Sequence, residues 1–244
     1  MKLALFADGD VGLAICRFLL AHYQQDVAVV VAIRDGEIAN LARAAGVAVV
    51  VFADEANVLQ ALPADIDLGL LAWWPKILKQ PLLAFPRLGF INTHPSLLPW
   101  NRGKHYNFWA LVEQAPFGVT LHCVDPGIDS GPIVAQQAVS YDWTDTGETL
   151  YRKAQSAMVA LFEQTWPKLR SGHVDAAPQA EGQGSFHHSS ELDGASRIDL
   201  DRLYSARELL NLLRARTFRP HPGCWFEDDG QRYEIAIDIR KSEQ

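Results

Sequence analysis

The sequence predicts an α/β protein with a mostly parallel central sheet, followed by a smaller C-terminal part that consists of a helix and a β-hairpin. Short β-branched and apolar runs alternate with helical patterns over residues 1–140, and most of these runs are apolar on both faces. Strands that are buried on both faces and connected by helices are typical of a parallel sheet covered on both sides. The composition changes after residue 172, which indicates a separate C-terminal part.

Seven apolar runs are predicted strands because they are short and rich in β-branched residues. They cover residues 3–7, 27–33, 47–52, 68–73, 90–94, 117–124 and 133–139. Helical periodicity covers residues 11–23, 38–45, 56–62 and 148–169. The longest of these helices has an apolar face, so we expect it to pack on the sheet and to end at Gly172.

The C-terminal part begins with a stretch that is rich in Gly, Ser, Ala, Gln and His and has no clear period, as in a linker or a loop that flanks an active site. Residues 206–215 have leucines on one helical face. Apolar and polar residues alternate over 224–226 and 233–239, on either side of Asp228-Asp229-Gly230, as in a β-hairpin. The predicted organisation is a main domain at 1–172, a linker at 173–197 and a small subdomain at 198–244.

Composition limits the function classes. The chain has 244 residues, 48% of them hydrophobic, and a net charge of -7 without a basic block. This charge argues against a partner such as a long nucleic acid, although one or two arginines would suffice for a nucleotide. No apolar run approaches the roughly 20 residues that cross a bilayer, and the N-terminus resembles a strand and not a signal peptide. We therefore expect a cytoplasmic protein without a membrane partner.

The cysteines and histidines predict no metal site. Cys16, Cys123 and Cys224 are few and scattered, which is typical of a reducing compartment without a disulfide framework or a zinc site. Cys123 lies in an apolar run, where buried packing is a simpler interpretation than a nucleophile. His187 and His188 have no spaced ligand set around them, so we expect them at the surface.

Polar side chains occupy the C-terminal end of the predicted strand at 90–94. Asn92 and His94 are two residues apart, so they share one face of an extended chain. The amide can donate to a developing oxyanion, and the imidazole can donate when protonated or accept a proton from an amine. Asp129, between two glycines, offers a carboxylate that favours the imidazolium. Together these groups suit the stabilisation of a tetrahedral intermediate, although an isolated Asn-x-His pair is more often structural.

The longer pattern is specific. It comprises Asn-Thr-His-Pro-Ser-Leu-Leu-Pro at 92–99, Arg-Gly at 102–103, Gly-Val-Thr-Leu-His at 118–122 and Asp-Ser-Gly at 129–131. It resembles the 10-formyltetrahydrofolate-dependent formyltransferase family, in which methionyl-tRNA, glycinamide ribonucleotide and amino-sugar formyltransferases share one catalytic domain. The resemblance runs from about residue 68 to 170 and implies a Rossmann-like fold. It implies that Asn92, His94 and Asp129 are the catalytic set and that N10-formyltetrahydrofolate is the co-substrate, without a metal.

The same resemblance implies where folate binds. The pterin pocket is expected to be edged by Lys76, Ile77 and Leu78. The loop expected to meet the pterin through its backbone contains Asp125, Pro126, Gly127 and Ile128. A flat heterocycle needs apolar walls and a few fixed polar groups, which suits both segments.

Other positions are candidates for the acceptor site. Lys104 and Arg102 are expected to contact the anionic tail of folate or the acceptor, and His122 is expected to shape the site. Trp74 is a candidate substrate contact, although core packing is the commoner role for a tryptophan at a strand end. The chain has Asn101 where the family commonly has Tyr, and Tyr106 where it has Pro.

The N-terminal turn is not a dinucleotide-binding loop by its sequence. Asp8-Gly9-Asp10-Val11-Gly12 lacks the Gly-x-Gly-x-x-Gly pattern, and its two carboxylates would repel a pyrophosphate. We therefore favour a tight turn between a strand and a helix.

The acceptor substrate is inferred by comparing the segments outside the shared catalytic domain, in which the subfamilies differ. Methionyl-tRNA enzymes have a large basic C-terminal domain, glycinamide ribonucleotide enzymes have a Gly-Ser-Gly-Ser-Asn loop, and formyl-folate hydrolases have an additional N-terminal domain. The remaining resemblance is to sugar N-formyltransferases, which act on a nucleotide-linked amino sugar such as dTDP-4-amino-4,6-dideoxyglucose in lipopolysaccharide O-antigen biosynthesis. Arg214, Arg216 and Arg219 are then candidate diphosphate ligands, and Trp225 or Phe226 a candidate base contact.

Alternatives remain open from the sequence. They are a formyltransferase on another amine, a formyl-folate hydrolase that uses water, and a non-catalytic folate or nucleotide binding module. The resemblance also implies a homodimer.

Overall fold

Most of the strands belong to one sheet. The structure, a computed structural model, describes residues 1–242. The strands of these residues are β1 (Leu3–Ala7), β2 (Val27–Ala32), β3 (Ala48–Val51), β4 (Leu68–Ala72), β5 (Phe90–His94), β6 (Arg102–Gly103), β7 (Gly118–Cys123), β8 (Ile133–Ala138), β9 (Phe186–His187), β10 (Cys224–Asp228) and β11 (Gln231–Ile235). The helices are α1 (Gly9–His22), α2 (Glu37–Ala44), α3 (Glu55–Ala61), α4 (Tyr106–Val112), α5 (Gly147–Leu169), α6 (Glu191–Ala195) and α7 (Ala206–Arg216).

The central sheet has seven strands in the order β3-β2-β1-β4-β5-β7-β8. Strands β1 to β5 pair in parallel, and β7 pairs antiparallel with β5. The predicted mostly parallel sheet with flanking helices is therefore confirmed. The strand order reverses between β1 and β4, where the backbone N–H of Asp8 donates to the carbonyl of Ala72 at 3.2 Å. Crevices beyond the carboxyl ends of the strands are the usual ligand sites of such sheets.

Aromatic rings fill the core on one side of the sheet. Phe6 of β1 packs edge-to-face against Trp74 and Phe90, with ring centroids 5.3 and 5.4 Å apart. All three side chains are buried. Gly69 of β4 makes this packing possible, because a Cβ atom there would lie 2.2 Å from ring atoms of Phe90. The glycine is thus required by space and not by an unusual backbone angle.

The described residues form two compact units. The first contains residues 1–94, 119–137 and 155–179, and the second contains residues 95–118, 138–154 and 180–242. In the first unit, the edge-to-face contact of Phe18 in α1 with Phe162 in α5 has ring centroids 6.2 Å apart. The predicted domain limits at residues 172 and 197 remain a prediction.

Helix α7 organises the second unit. The guanidinium of Arg214 is buried and donates to the carbonyls of Asp142 and Asp145 and to Asn211 Oδ1. Asn107 in α4 donates to the carbonyl of Gly147 at 2.8 Å. Because these backbone carbonyls receive side-chain donors, the loops around them remain satisfied without regular structure.

Three predictions about the C-terminal part need correction. Residues 173–197 are not entirely irregular, because they include β9 and α6, which are too short to produce a detectable period. The second hairpin strand is Gln231–Ile235 and not 233–239, since polar residues extend both strands to the turn. His187 was expected at the surface, but it is 9% exposed. Its ring stacks on Trp109 with centroids 3.8 Å apart and is paired with Glu113 and Glu191.

Gly69→Ala is expected to destabilise the first unit by about 1–3 kcal/mol, because the new methyl group overlaps the Phe90 ring and forces the core apart. Urea unfolding measures this loss. Gly194→Ala is the control, because a Cβ atom there meets nothing within 4 Å and alanine suits the helix α6. Equal unfolding midpoints for Gly69→Ala and the wild type would contradict the packing described above.

Candidate active site

The register of β5 and β7 brings an amide and an imidazole together. Asn92 of β5 lies directly opposite His122 of β7 in the antiparallel ladder, so both side chains project from the same face. Asn92 Nδ2 and His122 Nε2 are 3.2 Å apart. His94, two residues along β5, lies on the same face as Asn92.

The opposite face of the strand has a structural role. The hydroxyl of Thr93 is buried, accepts from the backbone N–H of Trp73 at 2.8 Å and donates to the carbonyl of Leu71 at 3.0 Å. Where β4 ends, these side-chain bonds take the place of backbone hydrogen bonds between β4 and β5. They hold the carboxyl end of β5 in place while Asn92 and His94 face the other way.

Asp129 reaches the two histidines from the loop between β7 and β8. Its Oδ2 lies 3.4 Å from His94 Nδ1, and its Oδ1 lies 3.6 Å from His122 Nε2 and 3.5 Å from Asn92 Nδ2. The backbone of Asp129 has a φ of 50°, in the left-handed region that Asp tolerates better than most residues. One carboxylate therefore lies close to all three other polar side chains.

The loop that contains Asp129 is tightly constrained. The carboxylate of Asp125 accepts from the backbone N–H of Gly127 at 3.1 Å and from the hydroxyl of Ser130 at 2.9 Å. A Cβ atom at Gly131 would lie 1.8 Å from the carbonyl oxygen of Cys123, so only glycine fits there. These contacts fix the path of the chain on both sides of Asp129.

The hydrogen bonds define the tautomer of His122. Its Nδ1 lies 2.9 Å from the carbonyl oxygen of Cys123, which can only accept, so Nδ1 has the proton. In the neutral ring, Nε2 is then an acceptor for the amide of Asn92. His122 thereby orients the Asn92 amide with its NH₂ group toward Asp129.

Burial strengthens the electrostatics of this cluster. The side chains of His94, His122 and Asp129 are 5%, 3% and 14% exposed. An ion pair in such a poorly hydrated position is screened less than one at the surface. The arrangement can hold a positive imidazolium at His94 and direct N–H donors at a developing negative oxygen.

Comparison with known proteins assigns this arrangement to a family. The model of the formyl transferase family, Formyl_trans_N, matches residues 24–165, which include Asn92, His94, His122 and Asp129. This chain belongs to the formyl transferase family. A second model, the N-formyltransferase dimerization C-terminal domain, matches residues 191–241. The protein is thus an N-formyltransferase, and the predicted family is confirmed.

Solved structures have the same fold over most of the chain. A sugar N-formyltransferase from Shewanella sp. FDAARGOS_354 is 21% identical, with a TM-score of 0.81 over 100% of this chain and 99% of that one. The N-formyltransferase of Helicobacter canadensis, in complex with folinic acid and dTDP-3-aminofucose, is 19% identical over 94% and 85%, with a TM-score of 0.72. The formyltransferase PseJ of Anoxybacillus kamchatkensis, in complex with UDP-4,6-dideoxy-4-formamido-L-AltNAc and tetrahydrofolate, is 25% identical over 87% and 97%, with a TM-score of 0.61.

The segments proposed to bind folate in this formyltransferase differ in exposure. Ile77 is 72% exposed and Ile128 is 42% exposed. The ammonium group of Lys76 lies 5.5 Å from the ring centroid of Phe52. Leu78 and Trp74 instead belong to the buried core. For Trp74 this position corresponds to the core-packing interpretation and not to a substrate contact.

Positive side chains lie close to one another in the second unit. Burial lowers the pKa of His105, and the charges of Arg216 and Lys104 lower it further, against a hydrogen bond to the Ser189 backbone. Arg102 Nε and Arg216 Nε are buried without a hydrogen-bond partner among the described residues. A buried guanidinium N–H without an acceptor is expensive, so each can accommodate an acceptor on a ligand.

Three C-terminal candidates have internal roles. Arg214 is held by the carbonyls and the amide described above, so it is not available to a diphosphate. The ring of Trp225 lies between Arg232 and Arg197, at 4.1 and 5.5 Å from their guanidinium carbons, and its Nε1 donates to the carbonyl of Asp193. Phe226 stacks on Tyr233 with ring centroids 5.2 Å apart. These contacts correspond to a small hairpin core.

The two departures from the family pattern have physical explanations. Asn101 has a φ of 54°, which Asn tolerates better than Tyr, and its amide donates to Glu113 at 3.0 Å. Tyr106 is the first residue of α4, the position where proline is common. Its ring stacks on Tyr151 with centroids 6.5 Å apart, and burial raises its pKa well above the usual value.

Sequence reasoning missed Gln179, whose amide contacts the backbone of the Asp129 loop. The residue lies in a stretch without periodicity, where the sequence offers no indication of its contact.

Within residues 1–242, no group of three His, Cys, Asp or Glu side chains is placed to hold a metal ion. In the same residues, no helix combines the length and the apolar character needed to cross a bilayer.

Proposed function

We propose that this protein transfers the formyl group of N10-formyltetrahydrofolate to the amine of a nucleotide-linked amino sugar. The observation that carries the proposal is the Asp129 carboxylate, which lies within 3.4–3.6 Å of His94, His122 and Asn92. The match to the formyl transferase family over these residues supports the reaction. The sugar N-formyltransferases of the same fold support the class of acceptor.

In the proposed reaction the sugar amine attacks the formyl carbon, and the carbonyl oxygen becomes an oxyanion. Asn92 Nδ2 and the protonated ring of His94 donate hydrogen bonds to that oxygen. Asp129 favours the imidazolium form of His94 and accepts the proton that the amine loses. The intermediate then collapses: the bond from the formyl carbon to N10 breaks, and N10 takes up a proton.

His122 does not need to move protons in this scheme. Its role is to fix the Asn92 amide, because its Nε2 accepts from that amide while Nδ1 is occupied by a backbone carbonyl.

The folate half of the proposal depends on two apolar side chains at the surface. Ile77 and Ile128 are both exposed, and a pterin ring would cover them. Both residues lie in segments that the family resemblance assigns to folate. The neighbours in complex with folinic acid and tetrahydrofolate support a folate co-substrate.

The acceptor half depends on the positive charges of the second unit. We propose that Arg102, Lys104 and Arg216 bind the diphosphate of the nucleotide sugar, because guanidinium groups pair well with phosphate oxygens. The pKa of His105 is lowered first by burial and then by the charges of Arg216 and Lys104, and a diphosphate would neutralise those two charges. We propose dTDP as the nucleotide, with Trp225 as a boundary of the site and not a stacking platform.

We further propose a homodimer that forms through residues 191–241. The match of these residues to an N-formyltransferase dimerization domain supports this assembly. The hairpin has an exposed aromatic residue, Tyr233, which is 45% exposed and stacks on Phe226.

Asn92→Ala and His94→Ala are each expected to lower kcat by about 100- to 1000-fold with little change in melting temperature, because each removes a donor to the oxyanion. Asp129→Asn should fall in the same range. A coupled assay with a dTDP-linked amino sugar and N10-formyltetrahydrofolate measures the rate. Asn40→Ala and His22→Ala, exposed positions in the same unit, are the controls. Near-normal turnover by both Asn92→Ala and His94→Ala would overturn the catalytic assignment.

A nucleotide-linked amino sugar at about 100 times its Kd is expected to raise the melting temperature by about 5–10 °C. The panel contains dTDP- and UDP-linked sugars with the amine at C3 or at C4, each with and without tetrahydrofolate. Arg216→Gln should reduce the shift, whereas Arg202→Gln, an exposed arginine of the same unit, should not. No stabilisation by any member of the panel would contradict the acceptor, and release of formate without an amine would indicate a hydrolase.

Light scattering is expected to give about twice the 27.1 kDa mass of the chain at micromolar concentration. A monomeric mass that persists at high protein concentration would contradict the homodimer.

A further inference from the structure

Gln179 holds the loop that contains Asp129. Its Nε2 atom donates to the carbonyl oxygen of Asp129 at 2.7 Å and to that of Gly131 at 2.9 Å. Both distances are those of good hydrogen bonds. A single side-chain amide therefore connects the residue of the carboxylate to the residue two positions further along the loop.

The orientation of the amide is unambiguous. Both backbone partners are carbonyl oxygens, which only accept, so the NH₂ group must face them and Oε1 must face away. The Oε1 atom is buried and has no hydrogen-bond partner among the described residues. Leaving that atom unpaired costs free energy, and the two bonds from Nε2 offset the cost.

The backbone near Gln179 is anchored independently of its side chain. Ala177 and Ile133 exchange two backbone hydrogen bonds of 2.7 and 2.9 Å in an antiparallel bridge. Ile133 is the first residue of β8, so the Gln179 segment is attached to the sheet. The amide is thus presented to the loop from a fixed base, and replacement of the side chain leaves that base intact.

The loop needs such a contact because the backbone of Asp129 has an unfavourable conformation. Asp129 has a φ of 50°, which a non-glycine residue adopts at some cost. Asp125 holds the earlier part of the loop through Gly127 and Ser130. Gln179 is the side chain that holds the carbonyl of Asp129 itself.

We infer that Gln179 is a positioning residue for the reaction: its amide, through the carbonyls of Asp129 and Gly131, sets the place of the Asp129 carboxylate against His94 and Asn92. The inference rests on the proposed function, in which that carboxylate charges His94 and accepts the amine proton. It adds a residue outside the catalytic set, from a segment after α5.

Removal of the two bonds is expected to lower kcat. Gln179→Met keeps the length of the side chain without its donors, and Gln179→Ala removes it. Each should lower kcat by about 100-fold, since a misplacement of about 1 Å can have this effect, while KM for the sugar changes little. The melting temperatures should stay close to that of the wild type, because the bridge at Ala177 is retained.

Gln24 provides the matched control. Its Nε2 also donates to a backbone carbonyl, that of Ala45, at 2.6 Å, and it lies in the same unit. Gln24→Met and Gln24→Glu should leave kcat unchanged. A general loss of activity from replacing a glutamine that bonds a carbonyl would appear in both sets of variants.

Gln179→Glu gives a pH signature that a merely structural role would not produce. At neutral pH the new carboxylate would face two carbonyl oxygens and repel them. Burial and these neighbours raise the pKa of such a carboxyl above its ordinary value, and the protonated form can donate one bond. The ratio of variant to wild-type kcat should therefore rise as the pH falls from about 8 to about 5.5, while the Gln179→Met ratio stays flat.

The ratio removes the contribution of other titrating groups. Those on the elements that pack around Gln179 and Asp129 are present in both proteins: Asp125, Asp129, His94, His122, His173, Asp175 and Lys168. A change confined to the Gln179→Glu ratio then reports the introduced carboxyl.

Three results decide the inference with the wild type and Asp129→Asn in the same assay. Loss of kcat in Gln179→Met with the pH-dependent recovery of Gln179→Glu supports it. Wild-type kcat in Gln179→Met and Gln179→Ala, while Asp129→Asn is inactive, overturns it and leaves the proposed function standing. Full activity of Asp129→Asn overturns the role of that carboxylate and the inference with it, whereas the absence of formyl transfer by the wild type overturns the proposed function.

Discussion

The antiparallel pairing of β5 with β7 is the constraint on which the site depends. It places His122 opposite Asn92, with Nε2 and Nδ2 3.2 Å apart, and it leaves His94 on the same face. A slip of one residue would turn the imidazole of His122 to the other face of the sheet and remove the partner of the amide. The parallel strands on the other side of β5 tolerate no slip either, because Thr93 bonds both Leu71 and Trp73.

The same pairing explains why Asp129 must be held by other parts of the chain. Because β7 runs antiparallel to β5, it ends beside Ile91 and not beside His94, and Val124 N–H still bonds the carbonyl of Phe90. The loop has to fold back along β5 for its carboxylate to reach His94. Asp125 shapes the first half of that return, and Gln179 secures the second half from outside the loop.

Much of the main sheet follows from the sequence, because strands buried on both faces and long helices produce patterns that residue type alone reveals. The proximity of the proposed catalytic residues was predictable for another reason: Asn92 and His94 lie two apart on one strand, and Asp129 lies in a distinctive glycine-flanked segment. The second unit was less predictable. Elements such as α4 are short. The residue before α4, His105, has a left-handed backbone conformation, which its residue type does not predict. Contacts such as that of Gln179 join residues about 50 positions apart, and no local pattern encodes them.

The chain separates two kinds of chemical demand. Asn92, His94, His122 and Asp129 all belong to the first unit, where the sheet register places the first three and loop contacts hold the fourth. The buried Nε atoms of Arg102 and Arg216 belong to the second unit, on the short strand β6 and at the end of α7. Formyl transfer to any amine needs the same oxyanion donors, whereas recognition of the acceptor depends on where a few charges lie. A rigid sheet suits the placement of the oxyanion donors. Short elements joined by side-chain bonds to the backbone suit recognition of the acceptor, because the sequence of these elements can change without moving the register of β5.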